Sequence, residues 1–392
     1  MFFHKKVRLS CKSEKLYIIL SFESRSVFMK IILQKIASLL YGMAIYVRNM
    51  LFDKDILKGK SYDIPIFCIG NITAGGTGKT PMVELVVGYL SQTRKVAVLS
   101  RGYGRRTSGY REVDALFDHY LDVGDEPLQI KRKFPDVPVI VCERRTEGIE
   151  KILERFPETE IIVMDDGFQH RWVKPYFNIV MIDYTRPVDK DSFMPAGQLR
   201  DSIESLDRAH AFVFTKCPQN MLKRDISFMI AGLRKKPSQT AFFSRPQIKE
   251  VRAVSSGAPV VLPPRSKIIA LSGIGNNEAF FSGLNSRYEV LHTIGLEDHY
   301  KYSVNDAEML YDAFKKYPDA AFIITTEKDA VKLSSLDGFP DQLRDRIFYE
   351  CIGMEFVDLF SASPSLKIEN ELYELLDNEI KKFKDDTYIR GC

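Results

Sequence analysis

Among the six cysteines of this 392-residue chain (Cys11, Cys68, Cys142, Cys217, Cys351 and Cys392) there is no C-x-x-C pair. Their scatter argues against a zinc site or disulfide framework and fits a reducing compartment. Cys68 and Cys142 lie inside apolar runs and read as core residues. Long apolar runs are also scarce near the start of the chain. The run Leu16–Leu20 is too short to span a bilayer, and no small-residue cleavage site follows it. Between Lys35 and Arg48 twelve uncharged residues occur, fewer than the ~18–20 that a crossing needs. Internal repeats and low-complexity tracts are absent as well. What remains is ordinary globular material, 45% hydrophobic and 28% charged, long enough for two domains with sizeable cores.

Charge is unevenly spread. Residues 1–60 hold twelve Lys/Arg and four Asp/Glu, a balance of +8, whereas the whole chain carries +4, so the rest is at −4. A basic leading segment on a slightly acidic body suits an anionic surface. Residues 1–28 read as an irregular basic extension, and Met29, which opens a more coherent segment, is a candidate start of translation alongside Met1. From Met29 to Phe52 polar positions recur at near-helical spacing and leave a broad apolar face. With basic flanks, residues 29–60 are expected to form an amphipathic helix lying in a membrane interface; a helix capping the next domain would show the same periodicity.

The chain is organised around Gly70-Asn71-Ile72-Thr73-Ala74-Gly75-Gly76-Thr77-Gly78-Lys79-Thr80-Pro81. An apolar run, Ile64–Ile69, reads as a buried strand before it, and Met82–Leu90 has helical spacing after it. Strand, glycine-rich turn, Lys-Thr and helix form the context of a phosphate-binding loop. The backbone from Thr73 to Gly78 would converge on phosphate oxygens, Lys79 supplies a charge, Thr80 can hold Mg²⁺, and the helix start favours an anion. Thr73 replaces the first glycine of the strict motif, and Ala74 stands where the related MinD-type loops often carry lysine.

Further apolar runs at 96–99, 137–141, 161–164, 179–182 and 211–214 predict strands with crossover helices between them. That alternation predicts an α/β fold, a P-loop NTPase-like doubly wound, mostly parallel sheet spanning residues 61–237. Residues 238–264 read as a connection, with a short β ribbon as one form it could take, and residues 265–392 as a smaller α/β domain. Ligands on such sheets sit at the carboxyl ends of strands, where the remaining motifs fall. Ser100-Arg101-Gly102-Tyr103-Gly104-Arg105-Arg106 offers arginines to an anion. Val123-Gly124-Asp125-Glu126-Pro127 offers a carboxylate that could take a hydroxyl proton. Met164-Asp165-Asp166-Gly167-Phe168-Gln169-His170 ends a strand in the manner of a Walker B acid, with either aspartate able to reach Mg²⁺. Arg144 and Arg145 close another strand, Arg200-Asp201 ends a loop, and Asp298-His299 pairs a carboxylate with an imidazole.

In order, G-N-I-T-A-G-G-T-G-K-T-P, S-R-G-Y-G-R, V-G-D-E-P, E-R-R, D-D-G-F-Q-H, M-P-A-G-Q-L-R-D, D-H-Y and T-E-K-D-A-V-K resemble the tetraacyldisaccharide 4′-kinase (lipid A 4′-kinase) family from Gly70 to Lys332. The resemblance implies Mg²⁺-dependent transfer of the ATP γ-phosphate to the 4′-hydroxyl of tetraacyldisaccharide 1-phosphate. It implies a site at the cytoplasmic face of the bacterial inner membrane, with a membrane-associating N-terminal helix, and no nucleic-acid partner is expected. By motif, Asp125 matches the catalytic base and His299 the histidine that pairs with it. Lys79 and Thr80 match the phosphate and Mg²⁺ contacts, and Asp165 and Asp166 the acids near the metal. Arg101, Arg105, Glu126, Arg144, Arg145, Gln169, His170 and Arg200 are candidates for contacts to substrate or phosphate. The family often has Arg-Glu where this chain has Arg200-Asp201. A membrane-attached ATPase switch without a lipid acceptor is the competing reading of the same phosphate loop.

Overall fold

The computed structural model describes residues 10–233, 235–336, 338–358 and 365–391; residues 1–9 of the leading extension lie outside them. Among the described residues thirteen strands form one sheet: β1 (Ile66–Gly70), β2 (Val96–Ser100), β3 (Arg111–Glu112), β4 (Val139–Val141), β5 (Ile161–Asp165), β6 (Phe177–Asp183), β7 (Ala211–Thr215), β8 (Thr240–Ala253), β9 (Pro259–Val260), β10 (Lys267–Ser272), β11 (Glu289–Gly295), β12 (Phe322–Thr326) and β13 (Ile347–Phe356). Their order is β11-β10-β12-β13-β8-β7-β6-β1-β5-β2-β4-β3, with β9 beside β8. Pairing is parallel except at β3–β4, β8–β9 and β8–β13.

The central strands are buried along their whole length, as continuous apolar runs covered on both faces require. One face is covered by the helices Lys79–Leu90 and Asp125–Lys133, through Val83, Val86, Val87 and Leu128. The other is covered by Arg145–Arg155 and Lys223–Gly232, through Ile149, Ile152, Ile226 and Met229. The smaller half repeats this with Val304–Lys316 on one side and Asn277–Asn285 on the other.

Three features differ from the sequence expectation. Residues 238–264 contain the longest strand rather than a loose connection. β8 pairs parallel with β7 over Thr240–Phe243, then antiparallel with β13 over Ser244–Ala253, so the two halves share one sheet. Between Ser244 and Ala253 its residues are mostly polar or charged and only partly buried, so no apolar run marks the strand. The last helix, Leu366–Gly391, also returns to the first half instead of staying with the second. Leu372, Leu376 and Ile380 join the core under Val86 and Leu90. Tyr373 stacks on Tyr89 at 4.0 Å, and Asp377 accepts from Tyr89 Oη at 2.6 Å and from Arg94 at 2.8 Å.

The N-terminal helix ends at Asp53 and reaches upstream to Ser10 rather than beginning at Met29. Nothing between those residues breaks it, because the segment has no proline and one glycine. That glycine, Gly42, is needed for close approach: a Cβ there would stand 2.7 Å from the Phe193 ring. Ser38, Ile45, Asn49 and Phe52 recur at helical spacing and are buried against the body. The opposite stripe, Leu33, Ile36, Leu40, Met43 and Val47, is exposed. By length and composition Met29–Asp53 could cross a membrane, but one side of it is occupied by the protein itself. Ser38 Oγ donates to Phe193 O at 2.6 Å and Tyr41 Oη to Arg200 O at 3.1 Å. Asp201, fully buried, accepts from Asn49 Nδ2 at 2.7 Å and Arg48 Nη2 at 3.3 Å.

Candidate active site

β1, β5, β2 and β4 lie side by side and parallel, so the loops after them open on one edge of the sheet. Those loops are the sequence motifs. The turn from Asn71 to Gly78 leaves β1 and enters the helix at Lys79. Gly78 has φ +81°, a left-handed conformation that glycine adopts without strain. The turn is fixed from behind: Asn71 Nδ2 donates to Thr77 Oγ1 at 2.7 Å, and Thr215 Oγ1 to Thr77 O at 3.0 Å. The Ala74 amide donates to Gln198 O at 2.8 Å, and Thr73 bridges to Leu199. Gly75 and Gly76 stay exposed, Thr73 and Thr77 are buried, and Lys79 and Thr80 are partly buried at the helix start.

Lys79 Nζ lies 3.6 Å from Asp166 Oδ1. Arg200 Nη2 donates to the same oxygen at 2.7 Å, to Asn71 Oδ1 at 2.9 Å and to Gln169 Oε1 at 2.8 Å. Gln169 Nε2 closes the ring by donating to Asn71 O. Burial alone would raise the Asp166 carboxyl, but Lys79 and Arg200 outweigh it and hold it at about 2. Its neighbour behaves in the opposite sense. Burial, with the charges of Glu126 and Asp166 added, pushes Asp165 up to about 7, against a hydrogen bond of 3.0 Å from Ser100 Oγ. Two adjacent carboxylates thus differ by environment: one is paired with cations, the other is a desolvated acid. Burial, then the charges of Arg145 and Arg101, pulls His170 down to about 4.

The arginines divide in the same way. Arg101 and Arg144 are exposed. Arg105 is engaged within the protein: it donates to Glu143 Oε1 at 2.6 and 3.1 Å and to Gly109 O at 2.6 Å. Arg145 is 1% exposed, donates to Cys142 O at 2.9 Å, and keeps a buried Nε without a partner among the described residues.

Asp125 opens the helix Asp125–Lys133 and is buried. Its partners come from the second half of the chain. Oδ2 lies 3.4 Å from His299 Nδ1, 3.7 Å from Lys328 Nζ and 3.7 Å from Lys332 Nζ. Burial pushes the carboxyl up, yet the His299 hydrogen bond and the two lysines outweigh burial and hold it well below the usual carboxylate range. Glu126 accepts from Lys328 at 3.4 Å and projects its charge onto Asp165, which joins the two clusters. His299 takes a left-handed backbone at φ +58°, as does Asp166 at +47°; such residues cost about 1–3 kcal/mol each and collect where surroundings over-determine them. Tyr103 of the Ser100–Arg106 loop lies against the His299 ring at 5.3 Å.

Sequence reasoning missed Lys328 and Lys332 as partners of Asp125. Thr326–Ala330, which follows a strand, reads either as a support for the site or as a helix start, and Thr326 does cap the helix Glu327–Leu333 by accepting from the Asp329 amide at 3.1 Å. Only the topology, which sets the carboxyl end of β12 beside a helix some two hundred residues earlier, reveals the pairing.

Comparison with known proteins identifies the family. The profile of the family described as tetraacyldisaccharide-1-P 4′-kinase matches residues 29–368. The tetraacyldisaccharide 4′-kinase of Phocaeicola vulgatus is 36% identical over 338 residues, 83% of this chain and 92% of that protein. That of Porphyromonas gingivalis strain W83 is 39% identical over 319 residues, 80% of this chain and 89% of that one. Among solved structures, LpxK from Aquifex aeolicus in complex with ATP superposes with a TM-score of 0.65 at 26% identity, covering 88% of this chain and 97% of that one. On sequence and fold together, the chain belongs to the tetraacyldisaccharide-1-P 4′-kinase family.

Proposed function

We propose that this protein transfers the γ-phosphate of ATP to the 4′-hydroxyl of tetraacyldisaccharide 1-phosphate, forming lipid IV-A in lipid A biosynthesis. The observation that carries the reading is Asp125: a buried carboxylate kept ionised by three groups from the other half of the chain, beside a phosphate loop. Lys79 and the amides of residues 75–79 hold the β- and γ-phosphates, the Ala74 amide being spent on Gln198 O. Asp125 orients the 4′-hydroxyl and takes its proton as the new O–P bond forms and the bond from the γ-phosphorus to ADP breaks. His299 steadies Asp125 at the junction of the two halves. Arg101 and Arg144 meet the anionic groups of ATP and the lipid, while Arg105 and Arg145 hold their own loops in shape and Arg200 holds Asp166, Asn71 and Gln169 together beside the phosphate loop.

A hydroxyl and a carboxylate, those of Thr80 and Asp165, fit Mg²⁺, which keeps several waters and takes substrate phosphate oxygens plus one or two protein ligands. Thr80 and Asp165 are the residues that would hold it, since Asp166 is committed to Lys79 and Arg200. Bound there, the ion would offset charge on the β- and γ-phosphates. The helix Met29–Asp53 supports attachment to the cytoplasmic face of the inner membrane: its inner stripe is docked on the body and its outer stripe is free to lie in the interface.

The test is Asp125→Asn, which preserves shape. It should retain ATP binding and lose about 10²–10⁴-fold in phosphoryl transfer. Near-parental transfer by a folded, ATP-binding variant would remove Asp125 from the chemistry.

A further inference from the structure

The helix Glu327–Leu333 faces Asp125 with two lysines, of which Lys332 is the stranger. It is 1% exposed, and no atom of the described residues reaches hydrogen-bond distance of its Nζ. Two carboxylates stand equally far from it, Asp125 Oδ2 at 3.7 Å and Asp329 Oδ1 at 3.7 Å. Asp329 is itself rigid: Oδ2 accepts from the Gly273 amide at 2.8 Å and from Thr326 Oγ1 at 2.7 Å, which leaves Oδ1 for the lysine. Taking an ammonium out of water is costly, and an apolar residue at such a site often serves the fold as well or better. Stability alone is therefore a poor reason for Lys332.

The other groups facing Asp125 do not replace it. Lys328 is shared with Glu126 and lies 3.4 Å from His299 Nε2. Asp298 stands 3.9 Å from the same imidazole nitrogen. Tyr120, one turn before Asp125, is neutral, and Asp306 is occupied by Tyr300 and Ser303. Lys332 alone contacts Asp125 from a dry position.

We propose that Lys332 is a positioning residue for the catalytic carboxylate, holding Asp125 ionised and aimed from across the junction of the two halves, with Asp329 as the counter-ion that keeps the lysine paired when Asp125 is protonated. The inference rests on Asp125 being the base. When the 4′-hydroxyl oxygen bonds to the γ-phosphorus and ADP leaves, the hydroxyl proton goes to Asp125, whose charge falls from −1 to zero. Lys332 would then be an unpaired buried cation if Asp329 were not already beside it. Lys332 and Asp329 both belong to the second half, so the shared sheet is what sets them beside Asp125.

The experiment measures the pH profile of kcat/KM for Lys332→Met, Lys332→Gln and Lys332→Arg, with ATP affinity and the thermal midpoint as controls. The neutral variants should lose at least about tenfold at neutral pH, and their acid limb should move up by about one pH unit or more, with ATP affinity unchanged. Lys332→Arg should restore the limb. In an Asp125→Asn background Lys332→Met should cost nothing more, since the lysine acts through that carboxylate. An unmoved acid limb, or losses that multiply with Asp125→Asn, would overturn the proposal. So would failure of both neutral variants to fold, which would give the lysine a purely structural role. Failure of the base reading is distinguishable, because Asp125→Asn alone would then keep near-parental transfer.

Discussion

Replacing Asp201 by alanine should loosen the N-terminal helix and the phosphate site together. The carboxylate is fully buried and holds four donors: Asn49 Nδ2 at 2.7 Å, the Ser202 amide at 2.9 Å, Arg208 Nη2 at 3.2 Å and Arg48 Nη2 at 3.3 Å. Arg48 is partly exposed and can turn to water. Arg208 cannot turn so easily: it lies over the Phe168 ring, its Nε is already without a partner among the described residues, and burial pulls its guanidinium down to about 10. Removing one partner of a buried pair costs about 3–5 kcal/mol; allowing for Arg48, we expect about 3 kcal/mol. For a chain of this size that lowers the thermal midpoint by about 4 °C. Asp201→Asn, which keeps the shape and one acceptor, should lose about half as much. Calorimetry gives the midpoint, and limited proteolysis near Lys54 and Lys58 reports release of the helix. A midpoint within about 2 °C of the parent, with the helix still protected, would refute the assignment of Asp201 as the anchor.

His170 makes stability acid-sensitive. Its folded value of about 4 lies below the ordinary 6.5, so the unfolded chain takes up the proton first. Stability is full above about pH 6.5, falls as pH drops, and the loss is complete below about pH 4. Discounted for its partial exposure, the effect is about 1–2 kcal/mol, and His170→Asn should remove it; denaturant midpoints at pH 7 and pH 5 that differ equally in both proteins would contradict this. Arg105 and Glu143 act as one unit. Arg105→Ala and Glu143→Ala should each destabilise the loop, and a double-mutant cycle should return about 1–3 kcal/mol of coupling; additive losses would speak against it. Lys79→Met should weaken ATP binding by about 10–100-fold, as loss of one charged contact does, which titration calorimetry measures directly; unchanged affinity would place the phosphates elsewhere.

How far the sequence could be read follows from how local each feature is. The phosphate loop and the acids after β5 are encoded by a few adjacent residues each, and apolar runs bounded by glycine mark their strands. For residues 238–264 a short β ribbon is legible, and β8 does pair antiparallel with β9. The length of β8 and its pairing with β7 and β13 are not, because Arg245–Arg252 is mostly polar and partly exposed like a linker. The last helix is amphipathic by sequence, but periodicity does not tell which half it covers; the Tyr89–Tyr373 stack does. The roles of the arginines could not be separated by type. Arg105 and Arg101 sit in one glycine-rich loop, yet one is spent on Glu143 and the other faces solvent. Lys328 and Lys332 are the plainest case: they lie about two hundred residues from Asp125, and only the shared sheet brings them to it.

The most direct measurement is ADP release by the purified protein with Mg-ATP, with and without detergent-dispersed tetraacyldisaccharide 1-phosphate. The account predicts release that depends strongly on the lipid, with phosphate appearing on its 4′-hydroxyl. Hydrolysis indifferent to the lipid, with no phosphorylated lipid formed, would contradict it.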